Sequence, residues 1–129
     1  MTASKFVEPI ALPLEPEAAR RRIHSYLEAE GWVGDVDDVV LAAHEALVNA
    51  RRHGGAARRA DMSLDGSSLV VRVWDAGPGF DLAARVRQPP EPTAERGRGL
   101  WLINRVTTAC EVGRDANGVF LAMRFDRPD

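Results

Sequence analysis

Three groups of residues have types and spacings that could do chemistry. Glu45 and Asn49 lie one turn apart in the stretch Asp35 to Gly54. Both polar side chains project from one side of a helix there, flanked by Leu41 and Val48. A pair of ordinary surface residues has the same spacing, so the segments that follow must decide between the two readings. Asp75 ends a run in which Leu69, Val71 and Val73 share its parity, which places a carboxylate on the apolar face of a strand. Such a group needs a hydrogen-bond donor, because an unpaired buried charge costs several kcal/mol or forces protonation. The next residues, Ala76-Gly77-Pro78-Gly79, permit two outcomes. Either the glycines let backbone approach a flat ligand, or the carboxylate simply closes a turn on nearby amides. Finally, Arg96-Gly97-Arg98-Gly99-Leu100 opens a helix carrying Ile103 and Val106 or Thr107. Free amides, glycines and arginines at a helix start make an anion site of the phosphate kind.

The elements that must position these groups are readable from periodicity. Residues 35–54 form a helix capped by Asp35, with Asp37 and Asp38 at its positive end, Arg51 and Arg52 at the other, and Gly54 as the stop. Val36, Val39, Val40, Ala43, Leu47 and Ala50 form its apolar stripe. Residues 5–12 read as a strand that Pro9 confines to a sheet edge or interrupts. Residues 15–30 read as a helix with Pro16 in the first turn, Ala19, Ile23, Tyr26 and Leu27 on one face, and Gly31 at the end. Arg20, Arg21 and Arg22 crowd its first half, as a solvated face or a docking surface for an acidic partner. Residues 57–64 and 68–75 form a hairpin about Asp65-Gly66-Ser67, and residues 109–114 and 119–126 another about Asp115-Ala116-Asn117-Gly118. In the last strand Val119, Leu121, Met123 and Phe125 alternate inward, with Cys110 and Val112 facing them. Residues 81–96, with Pro89, Pro90 and Pro92, have no sustained period and read as a functional loop.

Composition sets the outer bounds. A chain of 129 residues with 45% hydrophobic and 28% charged residues fits one globular domain, and we take residues 1–129 as that domain. A net charge of -2 and a pI near 5.9 give no general pull toward nucleic acid or anionic lipid. The lone Cys110 excludes an internal disulfide and a cysteine-rich metal site; His24 has no second ligand at metal spacing. No stretch has signal-peptide character or membrane-spanning length, so a cytoplasmic protein is expected, with no membrane or nucleic-acid partner.

Neither glycine pair completes Gly-x-Gly-x-x-Gly, and no Gly-x4-Gly-Lys-Ser/Thr is present, so Rossmann and P-loop readings fail. The ordered set Glu45-x3-Asn49, Asp75-x-Gly77-x-Gly79 and Gly97-x-Gly99 resembles the three boxes of the GHKL ATPases, the Bergerat-fold superfamily. The short chain, Asn-Ala-x-x-His-Gly around Asn49 and His53, and Arg-Gly-Arg-Gly-Leu are similar to the anti-sigma-factor serine/threonine kinases within it. The resemblance spans nearly the whole chain. It implies an α+β two-layer sandwich, a mixed, mostly antiparallel sheet with helices packed on one face.

The resemblance also implies roles. Asn49 would give its amide oxygen to Mg²⁺, a hard cation that keeps several waters and needs few protein ligands. Glu45 would be the general base toward an attacking hydroxyl. Asp75 would accept from the exocyclic amine of adenine, a bond that guanine's oxygen cannot offer, so ATP would be selected over GTP. Gly77 and Gly79 would lie against the base; His53 belongs to the same nucleotide-binding set. Gly97, Gly99 and Leu100 amides would hold phosphate oxygens, with Arg96 and Arg98 as candidates to add charge. Residues 81–96 would be the ATP lid.

By the same resemblance the partners would be an anti-anti-sigma protein, phosphorylated on Ser or Thr, and a sigma factor held inactive by binding. Homodimerisation is a habit of the family. The surroundings of His24 do not resemble a phosphoacceptor histidine. The expected function is therefore an ATP- and Mg²⁺-dependent protein serine/threonine kinase acting as an anti-sigma factor. Two rival classes are an ATP-binding regulatory module with little or no phosphoryl transfer and a purely structural interaction domain. Glu45 separates the first two, since a module that only bound ATP would not require a base there.

Overall fold

The computed structural model describes residues 8–53, 56–75, 77 and 98–127, and within these the side chains of His53 and Arg98 lie outside the description. The first two helices begin where a carboxylate satisfies their first amides. Helix α1, Pro16–Ala29, is capped by Glu15, whose carboxylate accepts the N–H groups of Glu17 at 3.1 Å and Ala18 at 2.7 Å. Those two amides hold the Glu15 carboxyl below its ordinary value. The helix ends at Glu30, whose N–H donates to the Tyr26 carbonyl, and Gly31 then takes a φ of 67°, the left-handed conformation that terminates helices. Helix α2, Val36–His53, starts from Asp35, which accepts the Asp38 N–H at 3.2 Å. Its last residue is His53; Gly54, the predicted stop, lies outside the described residues. Among the described residues no helix is long and apolar enough to cross a membrane.

The five strands are β1 (Ile10–Ala11), β2 (Ala57–Asp65), β3 (Ser68–Asp75), β4 (Ala109–Asp115) and β5 (Gly118–Asp126), with α3 (Arg98–Val106) before β4. Their order in the sheet is β1-β2-β3-β5-β4, and every described pairing is antiparallel. Strands β3 and β4 run in the same direction, as a crossover through a helix requires. Because β5 folds back between them, no parallel pair forms among the described residues. The edge strand predicted over 5–12 is present as Ile10 and Ala11 among the described residues, immediately after Pro9.

The helices pack on one face, giving the α+β two-layer arrangement. Ala19, Ile23 and Leu27 of α1, Val39, Ala43, Leu47 and Ala50 of α2, and Leu100 and Ile103 of α3 are buried with Leu69, Val71, Val73, Leu121, Met123 and Phe125 of the sheet. Ala42 and Ala46 are buried as well, so the buried side of α2 is wider than the predicted stripe. That extra breadth follows from its position, since α2 packs against α1, α3 and the sheet.

The opposite face of the sheet builds its own cover. Asp61 is 2% exposed and accepts both Nε and Nη2 of Arg72 at 3.0 Å, with Arg59 Nη2 3.6 Å away. The guanidinium groups of Arg72 and Arg59 lie 4.8 and 5.1 Å from the ring centre of Trp74, which the Phe120 ring meets at 5.4 Å. Trp74 is buried although it faces away from the helices.

Candidate functional site

The site is assembled from the middle of α2, the end of β3 and the start of α3. The apolar side of α2 is committed to the core, which leaves Glu45 and Asn49 on its partly exposed side, each half-buried. Glu45 reaches the beginning of α3. A Cβ placed on Gly99 would lie 3.1 Å from Glu45 Oε2, so this carboxylate sits against backbone that any larger residue would push away. Leu100, next along, is buried and ties that turn of helix into the core. Its amide and that of Gly99 belong to the first turn of α3, whose N–H groups have no partner within the helix.

Asn49 and Asp75 come together at a second place. Both line one hollow together with Ala46, Ala50, Val73, Val119, Phe120 and Leu121. The small alanines of α2 form its floor on the helix side. Asp75 is the last residue of β3, paired with Ala57 on one side and Val119 on the other. Its Oδ1 accepts the Gly77 N–H at 2.7 Å, the turn-closing bond that the sequence allowed. One such bond fixes the orientation of the carboxylate and does not exhaust it, because two oxygens offer about four lone-pair sites.

The β4–β5 turn buttresses this end of β3, and sequence reasoning did not see it. Asp115 Oδ1 accepts the Trp74 indole N–H at 2.9 Å and the Asn117 N–H at 2.8 Å. Gly118 adopts a φ of 119°, and a Cβ there would stand 2.9 Å from the Asp75 carbonyl oxygen. An Asp and a Gly in a hairpin turn were legible as turn formers. That the turn clamps the residues beside Asp75 depends on β5 inserting next to β3, which periodicity does not encode.

Of the predicted site residues, Glu45 and Gly99 are brought together, and Asn49 and Asp75 share a hollow, with Gly77 bonded to Asp75. His53 closes α2 and Arg98 opens α3, their side chains lying outside the described residues. Gly79, Arg96, Gly97 and the loop 81–96 also lie outside them. The donor set fits a magnesium nucleotide: an amide oxygen suits a hard cation, helix-start amides suit phosphate, and a fixed carboxylate suits an amine donor.

Residues 11–125 match the family described as the histidine kinase-like ATPase domain. The chain belongs to this family. No curated protein matches it. Among solved structures, the catalytic domain of the histidine kinase ThkA in a nucleotide-free form is similar, with a TM-score of 0.61 and 14% sequence identity, covering 95% of this chain and 99% of that one. At that identity the likeness carries the fold alone. As a histidine kinase-like ATPase domain, the chain is an ATP-binding domain of the GHKL type.

Proposed function

We propose that this domain is an ATP- and Mg²⁺-dependent protein serine/threonine kinase that acts as an anti-sigma factor. The observation that carries the reading is the meeting of Glu45 with Gly99, which sets a carboxylate beside the amides that would hold phosphate. In this reading Asp75 accepts from the adenine amine, Gly77 supports it, and the Gly99 and Leu100 amides bind phosphate oxygens. Gly79, His53, Arg96, Gly97 and Arg98 complete the nucleotide set by resemblance. Asn49 would hold Mg²⁺ through its amide oxygen; when bound, the ion spreads charge on the transferring phosphoryl group.

Glu45 takes the proton of a partner's Ser or Thr hydroxyl as its oxygen attacks the γ-phosphorus. The bond from that phosphorus to the β–γ bridging oxygen breaks, ADP leaves, and the partner carries the phosphoryl group. The partner is an anti-anti-sigma protein, and the second ligand is a sigma factor sequestered by binding. The exposed Arg20, Arg21 and Arg22 of α1 suit an acidic docking surface on either one.

The test is transfer of labelled γ-phosphate to an anti-anti-sigma protein by the wild type and by Glu45→Ala. The expected result is that the substitution abolishes transfer and keeps ATP binding. Undiminished transfer would remove Glu45 as the base. ATP binding by the wild type without any transfer would instead make the domain a regulatory ATP-binding module.

A further inference from the structure

Strand β4 stands last in the sheet order, so one of its edges has no strand beside it among the described residues. The hairpin dictates which residues face that edge. The two-residue turn Ala116-Asn117 makes Asp115 and Gly118 the closing pair. Hydrogen-bonded pairs in an antiparallel ladder recur at every second residue, so Gly113, Glu111 and Ala109 direct their backbone groups to β5 while Cys110 and Val112 direct theirs off the sheet. Neither Cys110 nor Val112 makes a backbone hydrogen bond elsewhere among the described residues. The side chains divide the other way. Cys110 and Val112 pair with Met123 and Leu121 of the core and turn toward the helices, which leaves Ala109, Glu111 and Gly113 on the face without helices.

Two further features lie on that face beside the edge. The first is a hollow of about 180 Å³ lined by Val70, Ala109, Cys110, Glu111, Ala122 and Arg124. It exists because Ala109 and Ala122 carry only a methyl group each. An engineered cavity of roughly 150 Å³ takes benzene, so this one has room for an aromatic ring. The second is the charge of Glu111, which is exposed and forms no ion pair among the described residues, whereas Arg124 is already held by Asp126.

We infer that β4 accepts an extended segment of a partner protein as an added antiparallel strand, with a lysine or arginine opposite Glu111 and an aromatic residue two positions later in the hollow. Cys110 and Val112 supply the main-chain bonds, and alternate side chains supply the selectivity. Glu111 occupies a non-hydrogen-bonded position toward the newcomer, where opposed side chains approach most closely. In an antiparallel strand the residue two after the cation stands opposite Ala109, across whose small side chain a ring reaches the hollow. An isolated aromatic molecule would fill the hollow and leave Glu111 and the backbone edge to water. A second copy of β4 does not supply the cation. A two-fold axis perpendicular to the sheet keeps like faces together, so the antiparallel registers set Glu111 against itself, Ala109, Gly113 or Asp115, each acidic or uncharged. The hollow lies on the opposite face from the nucleotide cleft, and Val70 is about 17 Å along β3 from Asp75 at roughly 3.4 Å per residue. This inference does not depend on the nucleotide reading.

The experiment titrates the full chain, nitrogen-15 labelled, with acetyl-Thr-Lys-Thr-Phe-Thr-amide to millimolar concentration. Saturable shifts and slowed hydrogen exchange are expected at the Cys110 and Val112 amides. Exchanging the peptide's Phe for Ala should weaken binding about tenfold or more, and Glu111→Gln should weaken the original peptide roughly two- to fivefold. Val112→Pro removes an outward donor and no bond to β5, a position where an edge strand tolerates proline; it should abolish binding and leave ATP affinity unchanged. Ala122→Leu fills the hollow without touching the backbone edge, and should weaken the Phe peptide while leaving the Ala peptide as it was. Unmoved Cys110 and Val112 amides, equal binding of the Phe and Ala peptides, or undiminished binding by Glu111→Gln would each overturn the proposal. A fall in ATP affinity in the folded Val112→Pro or Glu111→Gln variant would overturn the separation of the two sites.

Discussion

Glu45 and Gly99 approach so closely that a methyl group on Gly99 would stand 3.1 Å from the glutamate's Oε2. The central helix and the start of α3 are thereby joined at the carboxylate proposed as the base. Replacing Glu45 by Gln preserves its shape and hydrogen-bonding reach and removes its capacity to take a proton. ATP affinity measured calorimetrically should stay within a factor of a few, whereas phosphoryl transfer should fall by about 10²–10⁴-fold. Equal losses in both measurements would mean that Glu45 serves binding.

Gly99→Ala tests the same contact from the other side. Alanine is favoured over glycine in a helix by about 1 kcal/mol, and the group it meets is the end of a flexible side chain. Unfolding stability should therefore hold or rise slightly. The displaced Glu45 carboxylate should lower transfer even so, and a variant both stable and fully active would show that the contact is incidental.

Gly118 is a different case, because its neighbour is backbone. Its φ of 119° and the 2.9 Å approach of a Cβ to the Asp75 carbonyl oxygen leave alanine no relaxed position. Gly118→Ala should cost roughly 1–3 kcal/mol in denaturant unfolding and weaken ATP binding by shifting Asp75. Gly66→Ala is the control: the φ there is 58° with open space around it, so the penalty should be about 1 kcal/mol, with ATP affinity untouched.

On the face without helices, Arg72 and Asp61 form a bidentate pair whose acid is buried and whose base is 31% exposed. Arg72→Met leaves a buried carboxylate with only the longer contact to Arg59, and should cost about 3 kcal/mol. Asp61→Asn should cost less, since its amide oxygen still accepts and Arg72 can turn to water. Denaturation midpoints of the two variants decide the order.

Asp38 gives a pH-dependent signature. Burial, and then the charges of Asp35 and Asp37, push its carboxyl above the ordinary value of 3.8. A raised carboxyl disfavours the ionised form in the folded state, so its cost appears as pH rises through 3.8 and is complete above the folded value. Asp38→Asn should therefore stabilise the protein at pH 7, with the gain vanishing below about pH 3.8. A stability difference independent of pH would locate the effect elsewhere.

Sequence pattern revealed most of the elements because most of them are amphipathic in the simplest way. The stripe from Val36 to Ala50 and the alternation from Val119 to Phe125 each name a buried face, and Asp35, Pro16 and Gly31 mark helix ends by chemistry that is local. The parity of Leu69, Val71, Val73 and Asp75 carried the carboxylate to the inner side of the sheet. Strand order was not readable, because β5 entering beside β3 is a choice among distant partners. The Trp74–Asp115 bond and the Gly118 clamp depend on that order, so they came only with coordinates. Trp32 was equally hidden: nothing in its neighbours announces a buried indole over Gly34, where a Cβ would lie 2.5 Å from Nε1.

Strand β4 forms one margin of the sheet and carries Glu111, Arg114 and Asp115 along its seven residues. A margin exposes backbone donors and acceptors that invite another chain to add on, and charged residues there discourage uncontrolled stacking into aggregates. Neutralising Glu111 and Arg114 together would thus leave the pocket intact and trade away resistance to fibrous association, a liability that grows with concentration in the test tube and in the cell.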